Sequence, residues 1–256
     1  DPALAFLGRI HTAQDGRTAF QKARTAGFEN IGLDLMFGLP GQTTARWQWD
    51  LDTAVSLEAD HLSCYQLTFE PGTRMASDLA ARKFKALSGK TAVKLFEQTG
   101  RFLTAAGYER YEISNFSLSP SKRSRHNLKY WIFQPYLGFG PSAHSFTGCR
   151  RSWNVSDVPD YVDRLVSDRP PAEGEEAVDK TALMTEAIYL GLRLTDGIGI
   201  SEFENRFEID FSETFGDIST ALIAKGMVVI ENGHCRLTPD GTRFADSIAA
   251  RFIEAV

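Results

Sequence analysis

The sequence predicts an α/β protein in which a helix-flanked parallel sheet is followed by a small, mostly helical, winged-helix-like domain with one hairpin. Three observations predict it. Apolar runs of strand length alternate with segments of helical period as far as Phe116. The chain from Leu118 to about Val158 is then loop-rich, aromatic and basic. Beyond Pro170 and Pro171, helical periods dominate up to a turn at Asn232 and Gly233. The expected division is residues 1–158, carrying the sheet and the basic aromatic loop, and residues 175–256, the helical domain.

Each element has a local reason. Thr12 can cap a helix with apolar positions at Ala13, Ala19, Phe20, Ala23 and Ala26, closed by Gly27. Residues 30–37 form a short apolar strand, ended by the turn from Gly38 to Gly41. Thr43 can cap a second helix, where Trp47, Leu51, Ala54 and Val55 recur at helical spacing. Residues 61–69 read as the next strand, broken at Pro71 and Gly72. A third helix carries Val93, Phe96, Leu103 and Ala106 and stops at Gly107, and Tyr108 to Phe116 reads as a third strand. That alternation predicts parallel pairing with right-handed crossovers. After an acidic stretch at Glu173, Glu175 and Glu176, helices are expected near Lys180–Leu194, from Ser201, and near Ile218–Lys225. The Asn232-Gly233 pair marks a two-residue hairpin turn, and Thr238 with Pro239 starts a last helix.

Composition narrows the function classes. A net charge of −5 argues against a generally basic nucleic-acid binder. Between Asp217 and Val256 the cations Lys225, Arg236, Arg243 and Arg251 face five acids, so the winged-helix-like unit is a poor phosphate binder. No apolar run is long enough to span a bilayer, so no integral membrane protein is expected. Cys64, Cys149 and Cys235 are far apart, form no metal-ligand pattern, and suit a reducing cytoplasm. The chain opens on Asp1 rather than Met, which reads as a segment of a longer protein.

Two constellations carry chemistry. Asp34 lies inside an apolar strand, on the same face as Gly32 and Met36, just before a glycine turn. In parallel α/β structures ligands collect at that end of a strand. A carboxylate there either holds a hydroxyl-bearing or cationic ligand, or caps a loop or pairs with an arginine. The second constellation runs from Lys122 to Trp131. Lys122, Arg123, Arg125 and Lys129 gather positive charge, and Arg150 and Arg151 add more. His126 can ligate iron, Asn127 is a polar anchor, and Tyr130 and Trp131 offer flat faces. This is the complement of a carboxylated planar macrocycle; taken by itself, though, the pattern fits better a solvated basic loop in which Tyr130 and Trp131 close the core and His126 is hydrogen-bonded.

Six segments in order resemble one family: Leu7–His11 (LGRIH), Asp34–Thr43 (DLMFGLPGQT), Tyr65–Thr68 with Pro71–Thr73, Gly107–Phe116 (GYERYEISNF), Arg125–Trp131 (RHNLKYW) and Leu137–Ser145 (LGFGPSAHS). Together they resemble the radical-SAM family of oxygen-independent coproporphyrinogen III oxidases and their heme-chaperone relatives. The resemblance implies the C-terminal part of a (β/α)6 partial barrel, with the first two strands here being the barrel's last two. His126, Asn127, Tyr130 and Trp131 match the His-Asn-x-x-Tyr-Trp pattern of the heme-chaperone (HemW-like) branch, where it is implicated in heme binding. Lys122, Arg123 and Arg125 would then meet the propionates. Arg9, Asp34 and Thr68 look like residues lining an S-adenosylmethionine pocket. His144 falls in another loop near the barrel mouth and reads as an ordinary hydrogen-bonded histidine. The family's Cys-x-x-x-Cys-x-x-Cys segment for a [4Fe–4S] cluster is missing, so a cluster is expected on the parent protein and not on this segment.

The function implied is therefore a heme chaperone that binds heme and delivers it to acceptor proteins, with a homodimer left open. The alternative is an S-adenosylmethionine-dependent coproporphyrinogen III oxidase of porphyrin biosynthesis, taking the porphyrinogen instead. No residue of the segment is singled out as catalytic or as a metal ligand in its own right.

Overall fold

Thr12 caps the helix that follows it, as its position predicts: its hydroxyl accepts from the Asp15 N–H at 3.1 Å, and the Asp15 carboxylate accepts from the Thr12 N–H at 2.8 Å. This is seen in a computed structural model that describes residues 1–256. The contacts divide the chain into residues 1–123 and 124–256.

The first unit contains α1 (Pro2–Phe6), α2 (Ala13–Thr25), β1 (Gly32–Phe37), α3 (Thr44–Ser56), β2 (His61–Gln66), α4 (Arg74–Ala80), α5 (Gly89–Ala105), β3 (Glu109–Arg110) and β4 (Asn115–Ser117). β1 and β2 pair in parallel across the α3 crossover. Period-two alternation sends Leu33, Leu35 and Phe37 with Leu62 and Cys64 into one apolar core. There they meet Trp47, Leu51 and Ala54 of α3 and Leu95 and Leu103 of α5. Trp47 donates its indole N–H to the buried Thr99 hydroxyl at 2.8 Å. Each leucine fully buried here contributes roughly 2 kcal/mol. Val93, expected in this core, is exposed; Ala92 and Leu95 supply the buried stripe instead.

The predicted third parallel strand is a correction. Residues 108–116 are a tight reversal that makes two short strands, giving the order β1-β2-β4-β3 with β4 antiparallel to both of its neighbours. The fully buried Glu112 causes the reversal. Its carboxylate accepts from the Ser114 N–H at 2.8 Å and from Asn115 Nδ2 at 2.6 Å, and the Tyr111 N–H reaches back to the Asn115 carbonyl.

The second unit contains α6 (Arg125–Trp131), β5 (His144–Phe146), β6 (Arg150–Asn154), α7 (Val158–Val166), β7 (Ala172–Ala177), α8 (Lys180–Gly191), β8 (Ile198–Gly199), α9 (Ile200–Phe207), α10 (Phe211–Ala224), β9 (Val228–Glu231), β10 (His234–Leu237) and α11 (Ala245–Ile253). The acidic stretch that follows Pro170 and Pro171 is β7, the outer strand of an antiparallel β5-β6-β7 sheet. Its charges explain the pairing: Glu176 stands opposite Arg151, and Arg150 pairs with Glu175. Residues 158–175, where a domain boundary was expected, consequently lie inside the second unit.

The remaining elements are the helical domain. Phe203, Phe207, Phe211, Phe215 and Phe252 fill its core in edge and tilted contacts. β8 and β9 flank β10, and Asn232 and Gly233, both at positive φ (51° and 76°), make the expected hairpin turn. Thr238 does not start α11 directly. Its hydroxyl accepts from the Gly241 N–H at 3.0 Å, and a 3-10 turn, Gly241–Phe244, comes first.

Candidate functional site

The face of the first sheet opposite its apolar core is polar. The registers align Asp34, Ser63 and Asn115 in one row and Gly32, His61 and Ser117 in the next. Asp34 is exposed, whereas Ser63, Asn115 and Ser117 are buried. Asn115 Oδ1 and Ser117 Oγ have no partner within the protein, although an unpaired buried polar atom costs about 1–3 kcal/mol. His61 leans over Gly32 and shares a 2.7 Å hydrogen bond with the Tyr111 hydroxyl. Burial lowers its pKa against the opposing pull of Asp34, so it is neutral near pH 7. This row suits a ligand rich in hydroxyl and amine groups, and S-adenosylmethionine fits that description. Ser63 and Asn115 escaped the sequence reading: period two puts Ser63 on the face of His61, but only the strand register sets it beside Asp34.

The other residues expected around that ligand are less gathered. Thr68 is exposed beyond the end of β2, and Arg9 is exposed after α1 with no ion pair or hydrogen bond to Asp34. In the turn after β1, the Gly38 and Leu39 N–H groups are taken by the Gln42 side chain, so they are not free to cradle an anion.

The four residues expected at heme share one helix. Ser124 caps α6 by accepting from the Asn127 N–H, and the helix places His126 beside Tyr130, ring centroids 5.1 Å apart. His126 is exposed and its ring nitrogens have no hydrogen-bond partner. Tyr130 and Trp131 are already engaged. Tyr130 meets Tyr136 edge-on under the Lys129 ammonium, and the Arg193 guanidinium covers Trp131 at 4.6 Å. Asn127 is partly buried.

The basic cluster is dispersed. Lys122 binds Asp60, whose carboxylate also accepts from Arg24 and from the Ile31 N–H. Burial alone would raise the Asp60 pKa, but these three donors together hold it down at about 2. Arg123 pairs with Glu109 at 3.6 Å and lies over the Tyr111 ring. Arg150 and Arg151, added to the cluster by their sequence, are neutralised by Glu175, Glu176 and Glu186. Arg125 alone of the three expected propionate partners is exposed and without an ion pair.

The cysteines do not converge. Cys64 and Cys235 are buried, and burial pushes both thiols up to about 12, while Cys149 is exposed. No group of three or more His, Cys, Asp or Glu is placed to hold a metal ion, so the residues present do not fit an iron–sulfur cluster. No helix is long and apolar enough to cross a membrane.

Comparison with known proteins fits this layout. Residues 178–244 match the family described as HemN C-terminal domain. The chain is similar to heme chaperone HemW of Bacillus subtilis (strain 168), 33% identical over 253 residues, which is 99% of this chain and 66% of that protein. It is also similar to heme chaperone HemW of Escherichia coli (strain K12), 42% identical over 142 residues, 55% of this chain and 36% of that protein. A solved structure of coproporphyrinogen III oxidase (HemN) from Escherichia coli, a radical SAM enzyme, superposes with a TM-score of 0.76 at 19% identity, covering 99% of this chain and 61% of that one. That likeness establishes the fold: the C-terminal part of a radical-SAM partial barrel with its C-terminal domain. The chain spans just under two thirds of the length of the Bacillus relative.

Proposed function

Because the chain belongs to the HemW-like branch of the radical-SAM family, we propose that it is the heme-holding part of a cytoplasmic heme chaperone, which binds heme and passes it to acceptor proteins. One observation carries the reading: His126 stands exposed on α6 with both ring nitrogens unengaged. Iron takes a neutral imidazole readily. Arg125, one residue away and unpaired, is the cation suited to a heme propionate, and Asn127 on the same helix is a polar anchor. Tyr130 and Trp131 act by fixing α6 rather than by facing the macrocycle, and Lys122 and Arg123 by fixing the chain before it. Asp34, with Arg9 and Thr68, would hold S-adenosylmethionine, which when bound supplies a ribose diol and a sulfonium cation, both matched by a carboxylate. Cluster ligands would come from outside these residues.

Titrating hemin into the protein tests the reading. His126→Ala is expected to shift or abolish the Soret band of bound heme. Arg125→Ala is expected to weaken binding severalfold, more at low salt, without moving the band, because a peripheral ion pair is screened and does not touch the iron. A heme spectrum indifferent to His126→Ala, together with anaerobic formation of protoporphyrinogen from S-adenosylmethionine and a reductant, would replace the chaperone by the oxidase.

A further inference from the structure

Helix α6 carries the candidate heme ligand, yet it has only seven residues and buries none of them. So short a helix is not stable through its own hydrogen bonds, and its neighbours must fix it. Ser124 caps its start; the unusual feature is its other end. The Gln134 N–H returns to the Lys129 carbonyl at 2.8 Å, and the Phe133 N–H to the Tyr130 carbonyl at 2.9 Å. This pair of bonds is a Schellman motif, which places a left-handed residue, usually glycine, just after the helix. Phe133 stands at that position, with φ 56°. A bulky side chain is strained there and persists only where its surroundings over-determine it.

Those surroundings come from α9. Arg206 donates from Nη1 to the Phe133 carbonyl at 3.1 Å, and its guanidinium lies over the Phe133 ring at 4.4 Å. The same guanidinium reaches the ring of Phe207 at 5.7 Å, and Phe207 is buried in the core of the helical domain. The partners of Arg206 are thus one carbonyl and two rings, with no carboxylate among them. Phe133 is only 7% exposed and packs on Phe146, ring centroids 5.0 Å apart. A glycine would make this turn unaided. The phenylalanine makes it only while held, and its ring ties the end of α6 to α9.

Resting on the heme reading above, we propose that Arg206 is a positioning residue for heme: by holding Phe133 in its left-handed turn it fixes the end of α6, and through that helix the stance of His126. Hemin titration followed by visible absorption tests it. Arg206→Met keeps an apolar stem without a donor and should raise the heme Kd about tenfold. Arg206→Lys keeps a cation and a donor, and should bring affinity back to within about threefold of wild type. In His126→Ala supplied with imidazole the iron ligand no longer depends on α6, so adding Arg206→Met should change the Kd less than about twofold. Amide hydrogen exchange in Arg206→Met should quicken in α6 and stay unchanged in α8 and α10, which separates a loosened helix from a destabilised domain. Wild-type affinity in Arg206→Met, the same loss in the imidazole-supplied variant, or faster exchange throughout the domain each overturn the proposal and leave the heme reading standing. A heme spectrum indifferent to His126→Ala overturns both.

Discussion

The two sheets that carry the candidate residues present opposite chemistries from the same device, a single lateral row set by strand register. In the first unit the row is Asp34, Ser63 and Asn115, and what it leaves unpaired is oxygen: an exposed carboxylate and a buried amide carbonyl. In the second unit the row is His144, Trp153 and Gly174, and what it leaves unpaired is the His144 imidazole beside the Trp153 indole. A row of oxygens selects a ligand with many donors. The difference teaches that the chemistry of a sheet face here is set by which residues share a register position, more than by the charge of the surrounding sequence.

The contrast can be broken at its largest point through Glu112. The polar face survives burial because this carboxylate satisfies the Ser114 N–H and the Asn115 amide. Glu112→Ala leaves both without that acceptor and should destabilise the protein by about 3 kcal/mol in urea unfolding; a loss below 1 kcal/mol would mean the reversal is held otherwise. Next is Asp60. Its folded pKa lies at about 2, below its ordinary 3.8, so the unfolded chain takes up the proton first. The stabilisation is whole above about pH 4 and drains away as pH falls towards 2. Asp60→Asn should cost roughly 2 kcal/mol at neutral pH and flatten the melting curve's pH dependence over that window. The smallest effect is on the ligand. Asp34→Asn should weaken S-adenosylmethionine binding about tenfold, or about 1.4 kcal/mol, with an unchanged thermal melt. A lowered melting temperature at unchanged affinity would reduce Asp34 to a structural residue.

Much of the fold was legible because its signals are local. Thr12, Thr43 and the Asn232-Gly233 turn act on neighbours within four residues, and the structure uses each as its type predicts. The reversal at Glu112 was not legible. Period and propensity favour one strand from Tyr108 to Phe116, and only a buried carboxylate folding onto its own backbone breaks it. The basic cluster failed for a related reason. Counting cations along the chain ignores acids that arrive from elsewhere, and Asp60, Glu109, Glu175 and Glu186 each arrive from at least 14 residues away. His126 was visible as a motif. That His144 makes no hydrogen bond was not, because the neighbours it faces are set only when strands pair.

The unequal burial of the three thiols has a practical consequence. With Cys64 and Cys235 shut away and held as thiols, a maleimide dye should attach at Cys149 alone, in the connection between β5 and β6. That connection joins the strand of His144 to the strand of Trp153. Among these residues the tag would therefore sit at one place, the turn of the β5-β6 hairpin. Heme absorbs across the visible range, so its arrival and departure could be timed by energy transfer from that tag, without an engineered cysteine.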